Sequence, residues 1–394
     1  MSLNNEFDVQ NVFHLVGEQT LPVYLAAQQF RPETKHYLLT SRSQKTELTV
    51  RRLQSALNRQ GLKSEVIYLG DESIAVSYQN LLPTLQTVIG KYGGSGNAVF
   101  EITGGTKLMA FAGLVTANQE NMKAFYVDTR GKKLFCLNRQ NEEYDLKCEM
   151  SIREFVTLNG MTTTPGKNLN VTREFVRYMN EHCHVFQSSQ AQFAKSIDKK
   201  TANPKNLFQS AYSTMVNRHQ DKIPEWGGQW EAFLKANGIE NDWQAQARFL
   251  SGGWYEHYVY EELREEAGIR EIQLNTTVSF QQNNKSAQEF DVVYTDGCSL
   301  VIVECKAGRV IQDYVQKLEN LRNDYSGALG KCALVSLGRS TEFVNVAERI
   351  RNNRAIAGFF GKEGLQMLKN HLFDFVTGTV YEQHGQKKSA RRTP

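Results

Sequence analysis

The chain has 394 residues, of which 40% are hydrophobic and 22% charged, with a net charge of +4 at pH 7. This composition is typical of a globular protein with a sizeable core, and the length predicts two or three domains. No apolar run approaches the roughly 18 residues of a membrane span, so a transmembrane helix is not expected, and the first ten residues do not have the pattern of a secretory signal. The charge is too small to imply nucleic-acid binding by itself. Six scattered cysteines without a CxxC pair indicate a reducing cytoplasm.

Strand and helix patterns alternate over roughly the first 150 residues. The predicted strands are 12–16, 36–40, 65–69, 98–102 and 123–127, and the predicted helices are 21–30, 47–60, 74–91 and 104–119. This alternation indicates a parallel α/β sheet with helices on both faces, which is a Rossmann-like fold. Ligands of such sheets bind beyond the carboxyl ends of the strands.

Two loops of this half are therefore candidate binding elements. One is the segment VGEQT at 16–20, and the other is ITGGTK at 102–107, which opens a helix. Glycines let backbone N–H groups approach an anion, and the helix N-terminus adds a favourable dipole. Neither a Walker A loop nor a GxGxxG fingerprint is present. A phosphate site and simple chain turns both remain open at this point.

The pattern changes between residues 160 and 245. The threonine-rich stretch 162–166 is predicted to be a linker, and helices are predicted at 172–182, 189–196, 207–216 and 230–236. These elements indicate a small helical or winged-helix-like module. Such a module could bind DNA as a helix-turn-helix or could transmit motion between its neighbours, and we favour the connector.

The last region combines one leading helix with a small sheet. We predict a helix at 254–267, a strand at 271–280, a hairpin of strands 289–294 and 299–305, a helix at 310–323 and a strand at 331–337. The hairpin turn is Thr295-Asp296-Gly297, which is a strong turn signal between two β-rich segments.

Acidic residues and a lysine meet on this hairpin. Side chains alternate across a strand, so Glu304 and Lys306 share a face, as do Glu289 and Asp291. Such oxygen ligands suit a hard divalent cation, and a neighbouring lysine can orient a water for attack on phosphate. Cross-strand charge pairs are also common in sheets without any function. Here, however, Glu304 lies in the apolar run VIVEC, and a buried carboxylate requires partners.

The spacing of Asp, twelve residues, then Glu-x-Lys resembles the PD-(D/E)XK nuclease core, with Glu256 on its leading helix. Together with ITGGTKLMA at 102–110 and GGWYE at 252–256, it makes the chain similar to the effector nucleases of type III CRISPR defence. In this family a CRISPR-associated Rossmann fold (CARF) domain senses cyclic oligoadenylate and a restriction-endonuclease-like domain cuts nucleic acid. The resemblance implies a CARF domain over 1–160, a connector over 161–242 and a nuclease domain over 243–394.

The resemblance also implies partners and residue roles. The protein would be a cytoplasmic homodimer, without membrane contact, that binds cyclic tetra-adenylate as an allosteric activator. Asp291 and Glu304 would bind Mn²⁺ or Mg²⁺, Lys306 would position the nucleophile, and Glu256 and Glu289 would be supporting acids. Substrates would be single-stranded DNA, RNA or nicked duplex DNA. The ligand's phosphates would meet the loop and neighbouring strand ends at Thr103, Gly104, Gly105, Thr106, Lys107, Gln19, Thr40 and Ser41.

Two other functions are compatible with the sequence. One is a restriction or repair nuclease that needs no second messenger. The other is a ligand-sensing transcriptional regulator whose helical module binds promoter DNA and whose C-terminal domain only dimerises. The Asp291, Glu304 and Lys306 set argues against the regulator, because DNA binding alone needs no metal cluster.

Overall fold

The computed structural model describes residues 9–93, 97–140, 142–166, 168–219, 226–280, 287–325, 330–352 and 356–382. Within these ranges the chain forms two seven-stranded sheets joined by a group of helices. The predicted order of an α/β domain, a helical connector and a second α/β domain is confirmed.

The first sheet has the strand order β3-β2-β1-β4-β5-β6-β7. Strands β1 to β5 are parallel, and β6 and β7 continue the sheet antiparallel. The order reverses between β1 and β4, which is the switch point where such sheets bind ligands. The elements are β1 (Asn11–Leu15), α1 (Leu21–Ala27), β2 (Lys35–Arg42), α2 (Gln44–Arg59), β3 (Ser64–Asp71), α3 (Glu72–Ala75), α4 (Tyr78–Lys91), β4 (Ala98–Glu101), α5 (Lys107–Gln119), β5 (Lys123–Asp128), β6 (Lys133–Cys136), β7 (Glu143–Asp145) and α6 (Ile152–Leu158).

The middle of the chain differs from the prediction at its start. The stretch predicted as a linker forms β8 (Met161–Thr164), an edge strand of the second sheet paired with a strand more than 100 residues later. Four helices follow, with no strand between them in the described residues. They are α7 (Arg173–Glu181), α8 (Cys183–Ser196), α9 (Pro204–His219) and α10 (Trp226–Asn237).

The second sheet has the order β14-β13-β12-β11-β10-β9-β8, antiparallel from β8 to β11 and parallel from β11 to β14. A π-helical turn at Phe249–Gly253 leads into the helix in front of this sheet. That helix ends at Leu263, one turn earlier than predicted. The elements are α11 (Trp243–Arg248), α12 (Trp254–Leu263), β9 (Glu271–Phe280), β10 (Gln288–Thr295), β11 (Leu300–Lys306), α13 (Gln312–Tyr325), β12 (Gly330–Ser336), α14 (Val344–Asn352), β13 (Ile356–Phe360), α15 (Gly364–His371) and β14 (Val380–Tyr381).

Apolar packing joins the regions rather than separating them. One cluster covers a face of the first sheet, continues through Phe155 of α6, and reaches a face of the second sheet at Val293 and Ile302. A second cluster packs the connector helices, through Phe175 and Trp230, onto α12 and the opposite face of the second sheet. The connector is therefore part of the core of the second α/β unit.

The turn of the β10–β11 hairpin contacts the first domain directly. Gly297, at φ +88°, has no room for a Cβ because the carbonyl oxygen of Cys148 would lie 2.2 Å away. The N–H of Met150 donates to the carbonyl of Gly297 at 3.1 Å, and Lys132 pairs with Asp296 at 2.7 Å. The hairpin thus connects the two sheets physically.

A disulfide between Cys148 and Cys298 crosses the same contact. The two residues are 150 positions apart, so cysteine spacing in the sequence did not indicate the pair, and the inference of reduced cysteines is wrong for these two. No helix in the described ranges has both the length and the apolar character needed to cross a bilayer.

Candidate functional site

The β10–β11 hairpin brings Asp291 and Glu304 together at the end away from its turn. Val292 pairs with Val303 across the hairpin, and the same register places Asp291 opposite Glu304. Both residues are nearly buried, with 8% and 3% of their surfaces exposed. Asp291 is anchored by the N–H of Cys305, which donates to its Oδ2 at 2.8 Å. The structure therefore brings together the two predicted metal ligands.

Lys306 joins these carboxylates. Its Nζ lies 3.1 Å from Asp291 Oδ2 and 2.7 Å from Glu304 Oε1, and it donates to the carbonyl of Cys305 at 2.9 Å. The ring of Tyr314 covers it at 4.6 Å. Burial alone would lower the pKa of Lys306, but the adjacent carboxylates outweigh burial and raise it. Lys306 is therefore a firmly held cation at physiological pH.

Lys317, which was not among the predicted site residues, also reaches this cluster. It projects from α13, and its Nζ lies 2.7 Å from Glu304 Oε2. Sequence reasoning placed Lys317 on a helix but had no local signal that would bring it to Glu304.

Glu256 and Glu289 line an open cavity of about 1120 Å³ that Lys306 also lines. Its lining includes Lys306 and the exposed arginines Arg248 and Arg309. Burial first, and then the negative charge of Asp291, raises the pKa of Glu256 to about 8, although Lys306 opposes this. With a pKa of about 8, Glu256 is mostly protonated at neutral pH before a divalent metal ion binds. Glu289 is exposed at the start of β10.

The donor set suits a hard divalent cation. Oδ2 of Asp291 and Oε1 of Glu304 approach the same Nζ of Lys306, so both carboxylates already face one positive charge. Carboxylate oxygens are the ligands that Mg²⁺ and Mn²⁺ prefer. Among the described residues no group of three His, Cys, Asp or Glu side chains is arranged to bind a metal. Two carboxylates with remaining positions for water and substrate phosphate are how Mg²⁺ is usually bound.

The second candidate site is the loop between β4 and α5. A Cβ on Gly104 would lie 1.9 Å from the carbonyl oxygen of Leu15, and Gly105 has φ +75°. A Cβ on Gly17 would lie 3.0 Å from Gly105, so the loops after β1 and β4 touch. Thr106 caps α5, because its Oγ1 accepts from Met109 N at 3.2 Å. The glycines allow a backbone approach that no other residue permits here.

The other predicted ligand residues differ in accessibility. Gln19, Thr106 and Lys107 are exposed at the ends of β1 and β4. Thr103 is half-buried, and its Oγ1 accepts from Val127 N at 2.8 Å. Thr40 and Ser41 are buried in β2. The backbone of the loop and its exposed side chains are therefore the groups best placed to meet a ligand, and the roles of all eight residues remain predictions.

A buried polar network of His14, His36 and Glu101 contacts the start of this loop. His14 Nε2 lies 3.0 Å from His36 Nδ1, and His14 Nδ1 lies 3.3 Å from Glu101 Oε2. Glu101 Oε1 in turn accepts from Thr103 N at 2.7 Å. Burial first, and then His14, holds the pKa of His36 well below its usual value. The sequence signal for this network is an ionisable residue within each of two apolar strands, His14 before Leu15 and Glu101 after Phe100.

Comparisons with known proteins extend these observations. Residues 12–155 match the family of Card1 CARF domains, and residues 243–378 match that of Card1-like endonuclease domains. Protein VC1899 from Vibrio cholerae is similar in structure, with a TM-score of 0.69 and 15% identity, over 92% of this chain and 97% of that one. Can2 from Sulfobacillus thermosulfidooxidans, solved with cyclic tetra-adenylate, has a TM-score of 0.64 and 18% identity, over 93% and 97%.

A type III CRISPR defence DNA nuclease activated by cyclic oligoadenylate has a TM-score of 0.52 and 17% identity, over 84% of this chain and 45% of that one. At these identities the solved structures establish a shared fold. No curated protein sequence matches the chain.

Proposed function

The chain is a CARF-domain protein with a Card1-like endonuclease domain, and we propose that it is a metal-dependent nuclease activated by cyclic tetra-adenylate in type III CRISPR defence. The observation that carries the proposal is the convergence of Asp291, Glu304 and Lys306 within 3.1 Å on one hairpin of the endonuclease domain. The CARF and nuclease resemblance seen in the sequence is confirmed by the two domain families. Can2, which has the same fold, was solved with cyclic tetra-adenylate.

In the proposed reaction Asp291 and Glu304 would hold Mn²⁺ or Mg²⁺. When bound, the divalent cation supplies Lewis acidity at the scissile phosphate. Lys306, fixed by its contacts, positions the water for attack and stabilises the charge that grows on the non-bridging oxygens. Glu256 and Glu289 are supporting acids at the rim, and Glu256 can carry a proton at neutral pH.

The substrate would be single-stranded DNA or RNA, with nicking of duplex DNA a further activity. An open cavity of about 1120 Å³ beside Lys306 is large enough for part of a nucleic-acid strand. Arg248 and Arg309 on its lining supply positive charge for the phosphate backbone. We propose a cytoplasmic location for this activity.

The activator would bind at the loop after β4. Backbone N–H groups of Gly104 and Gly105, the α5 N-terminus and Lys107 are suited to a phosphate. The pocket would be completed by Gln19, Thr103, Thr106, Thr40 and Ser41. The buried Thr40 and Ser41 would contribute by shaping the end of β2.

Two copies of the chain would form this pocket together. Beside the loop, Leu108 and Phe111 are 40% and 58% exposed on α5, and Val76 is 68% exposed. Exposed apolar residues in a group favour association with a partner surface. A homodimer that buries them would bring both ligand loops to one cyclic molecule across a two-fold axis.

Ligand binding would reach the nuclease site through the β10–β11 hairpin. Its turn contacts the sensor domain at Met150 and Lys132, and its other end carries Asp291 and Glu304. A ligand that binds one dimer arrangement more tightly shifts the population towards it. Movement of the sensor contact would then change the geometry at Asp291 and Glu304.

The test incubates the full-length protein with Mn²⁺ and labelled single- and double-stranded DNA and RNA. Reactions run without messenger and with cyclic tri-, tetra- or hexa-adenylate. We expect cleavage that requires cyclic tetra-adenylate, and its loss in Glu304→Ala and Lys306→Ala with ligand binding unchanged. The exposed Glu363→Ala serves as the matched control.

Equal cleavage with and without messenger would favour the ligand-independent nuclease. Sequence-specific DNA binding without any cutting would favour the regulator. Cutting by Glu304→Ala at the wild-type rate would refute the site assignment.

A further inference from the structure

Both oxygens of the Glu304 carboxylate are occupied by lysines. Oε1 lies 2.7 Å from Lys306 Nζ, and Oε2 lies 2.7 Å from Lys317 Nζ. The Glu304 side chain is only 4% exposed. A buried carboxylate needs such compensation, because an unpaired charge away from water is costly. A divalent cation that binds Glu304 therefore competes with these two ammonium groups for the carboxylate.

The two lysines are held very differently. Lys306 contacts Asp291, Glu304, the Cys305 carbonyl and the Tyr314 ring, and its side chain is 16% exposed. The ammonium of Lys317 contacts Glu304 alone among the described residues, and its side chain is 28% exposed. Displacing Lys317 breaks one partly solvated ion pair, whereas displacing Lys306 breaks four contacts. Lys317 is thus the more easily displaced of the two.

The released ammonium lies close to where substrate would bind. Lys317 is three residues after Tyr314 on α13, so both are on the same helix face. Tyr314 of this helix and Ile311 just before it line the open cavity beside Lys306. A lysine stem is long and flexible enough to carry its charge from Glu304 to a phosphate one helical turn away, about 5 Å.

We propose that Lys317 is an exchangeable counter-ion: it neutralises Glu304 while no divalent cation is bound, and it binds a substrate phosphate once the cation takes Glu304. This inference rests on the proposed metal-dependent nuclease function. Pairing with Lys317 compensates the buried Glu304 carboxylate while no divalent cation is bound. The exchange also couples metal loading to substrate capture, because the same event that fills the site releases a positive charge into the cavity.

The first measurement is Mn²⁺ binding to the full-length protein without nucleic acid, followed by electron paramagnetic resonance. Lys317→Met keeps the apolar stem and removes the competing charge. We expect Mn²⁺ affinity to rise by about two- to fivefold, which corresponds to a partly exposed ion pair. Lys317→Arg should restore wild-type affinity, and Lys362→Met, at an exposed lysine of the same domain, should change nothing. Unchanged or weaker Mn²⁺ binding in Lys317→Met would overturn the counter-ion role.

The second measurement is kcat/KM for messenger-activated cleavage at saturating Mn²⁺, as a function of salt. Loss of one phosphate contact should lower kcat/KM of Lys317→Met about tenfold and reduce the slope of its logarithm against log salt by roughly 0.7 to 0.9. A residue that only supported the fold would not change this slope. An unaltered slope would overturn the phosphate contact.

Thermal unfolding confirms that each variant is folded, and Lys317→Gln replaces Lys317→Met if the latter is not. Measurements on the wild type distinguish failure of the proposed nuclease function from failure of the role proposed for Lys317. If the wild type neither binds Mn²⁺ nor cuts, the proposed function fails. If it does both and Lys317→Met behaves identically, only the role of Lys317 fails.

Discussion

Gly104→Ala should disturb the loop between β4 and α5, the proposed activator site, more than any other single change we consider. The new Cβ would lie 1.9 Å from the carbonyl oxygen and 3.0 Å from the carbonyl carbon of Leu15, both of which belong to the backbone of β1. A normal carbon–oxygen contact is about 3.3 Å or longer. The loop must therefore move by more than about 1 Å, which would shift the N–H groups of residues 104 and 105 away from the proposed phosphate position.

The size of the effect follows from those two donors. A hydrogen bond to a charged group contributes about 1.5 to 3 kcal/mol, so losing both costs roughly 3 kcal/mol or more. This corresponds to about a hundredfold increase in the concentration of cyclic tetra-adenylate that gives half-maximal cleavage. Activation curves at fixed Mn²⁺ with labelled single-stranded DNA measure that midpoint.

Gly90→Ala is the matched control in the same domain. It lies inside α4, and a Cβ there meets nothing within 4 Å. We expect it to leave the midpoint unchanged and to stabilise the helix slightly, because alanine restricts the unfolded chain. If Gly104→Ala folds with a normal thermal transition and is activated at the wild-type midpoint, the loop does not bind the messenger.

Three further predictions concern neighbouring parts of the molecule. Lys107→Ala should raise the activation midpoint about three- to tenfold, as expected for one exposed charge, and an unchanged midpoint removes it from the pocket. Glu262 is buried, which raises its pKa, but Arg177 and Arg173 at 2.5 and 3.2 Å outweigh this and hold the pKa at about 2. The stabilisation that the charged Glu262 provides is therefore present above pH 4.5 and is lost as pH falls towards 2. Glu262→Gln should lower the free energy of unfolding, measured by urea titration, by about 2 kcal/mol at neutral pH and leave it unchanged near pH 2. Reducing the Cys148–Cys298 disulfide, which closes 150 residues, should lower the free energy of unfolding by about 2 to 4 kcal/mol, and a Cys298→Ser variant should show no effect of reductant.

Local patterns in the sequence predicted most of the first sheet and the β10–β11 hairpin. The five parallel strands and the Thr295-Asp296-Gly297 turn are where the alternation and turn residues indicated. Periodicity failed where strands are short. The segments of β6 and β7 have four and three residues, too few to show an alternation.

The stretch that forms β8 shows a different limit. Its composition, Met-Thr-Thr-Thr, is compatible with either a linker or a strand. What decides between them is a partner, β9, more than 100 residues further along the chain. Propensity is a weak guide when pairing with a distant segment supplies the hydrogen bonds.

The sequence alone determined which side chains share a strand face, because that depends only on the two-residue repeat of a strand. Asp291, Glu304 and Lys306 could be placed together for this reason, and Gly104 and Gly105 could be placed at a strand end. Only the tertiary structure decided that Lys317 occupies the second oxygen of Glu304 and that Glu101 supports Thr103. Such contacts depend on distances between separate elements, and packing of the whole chain sets those distances.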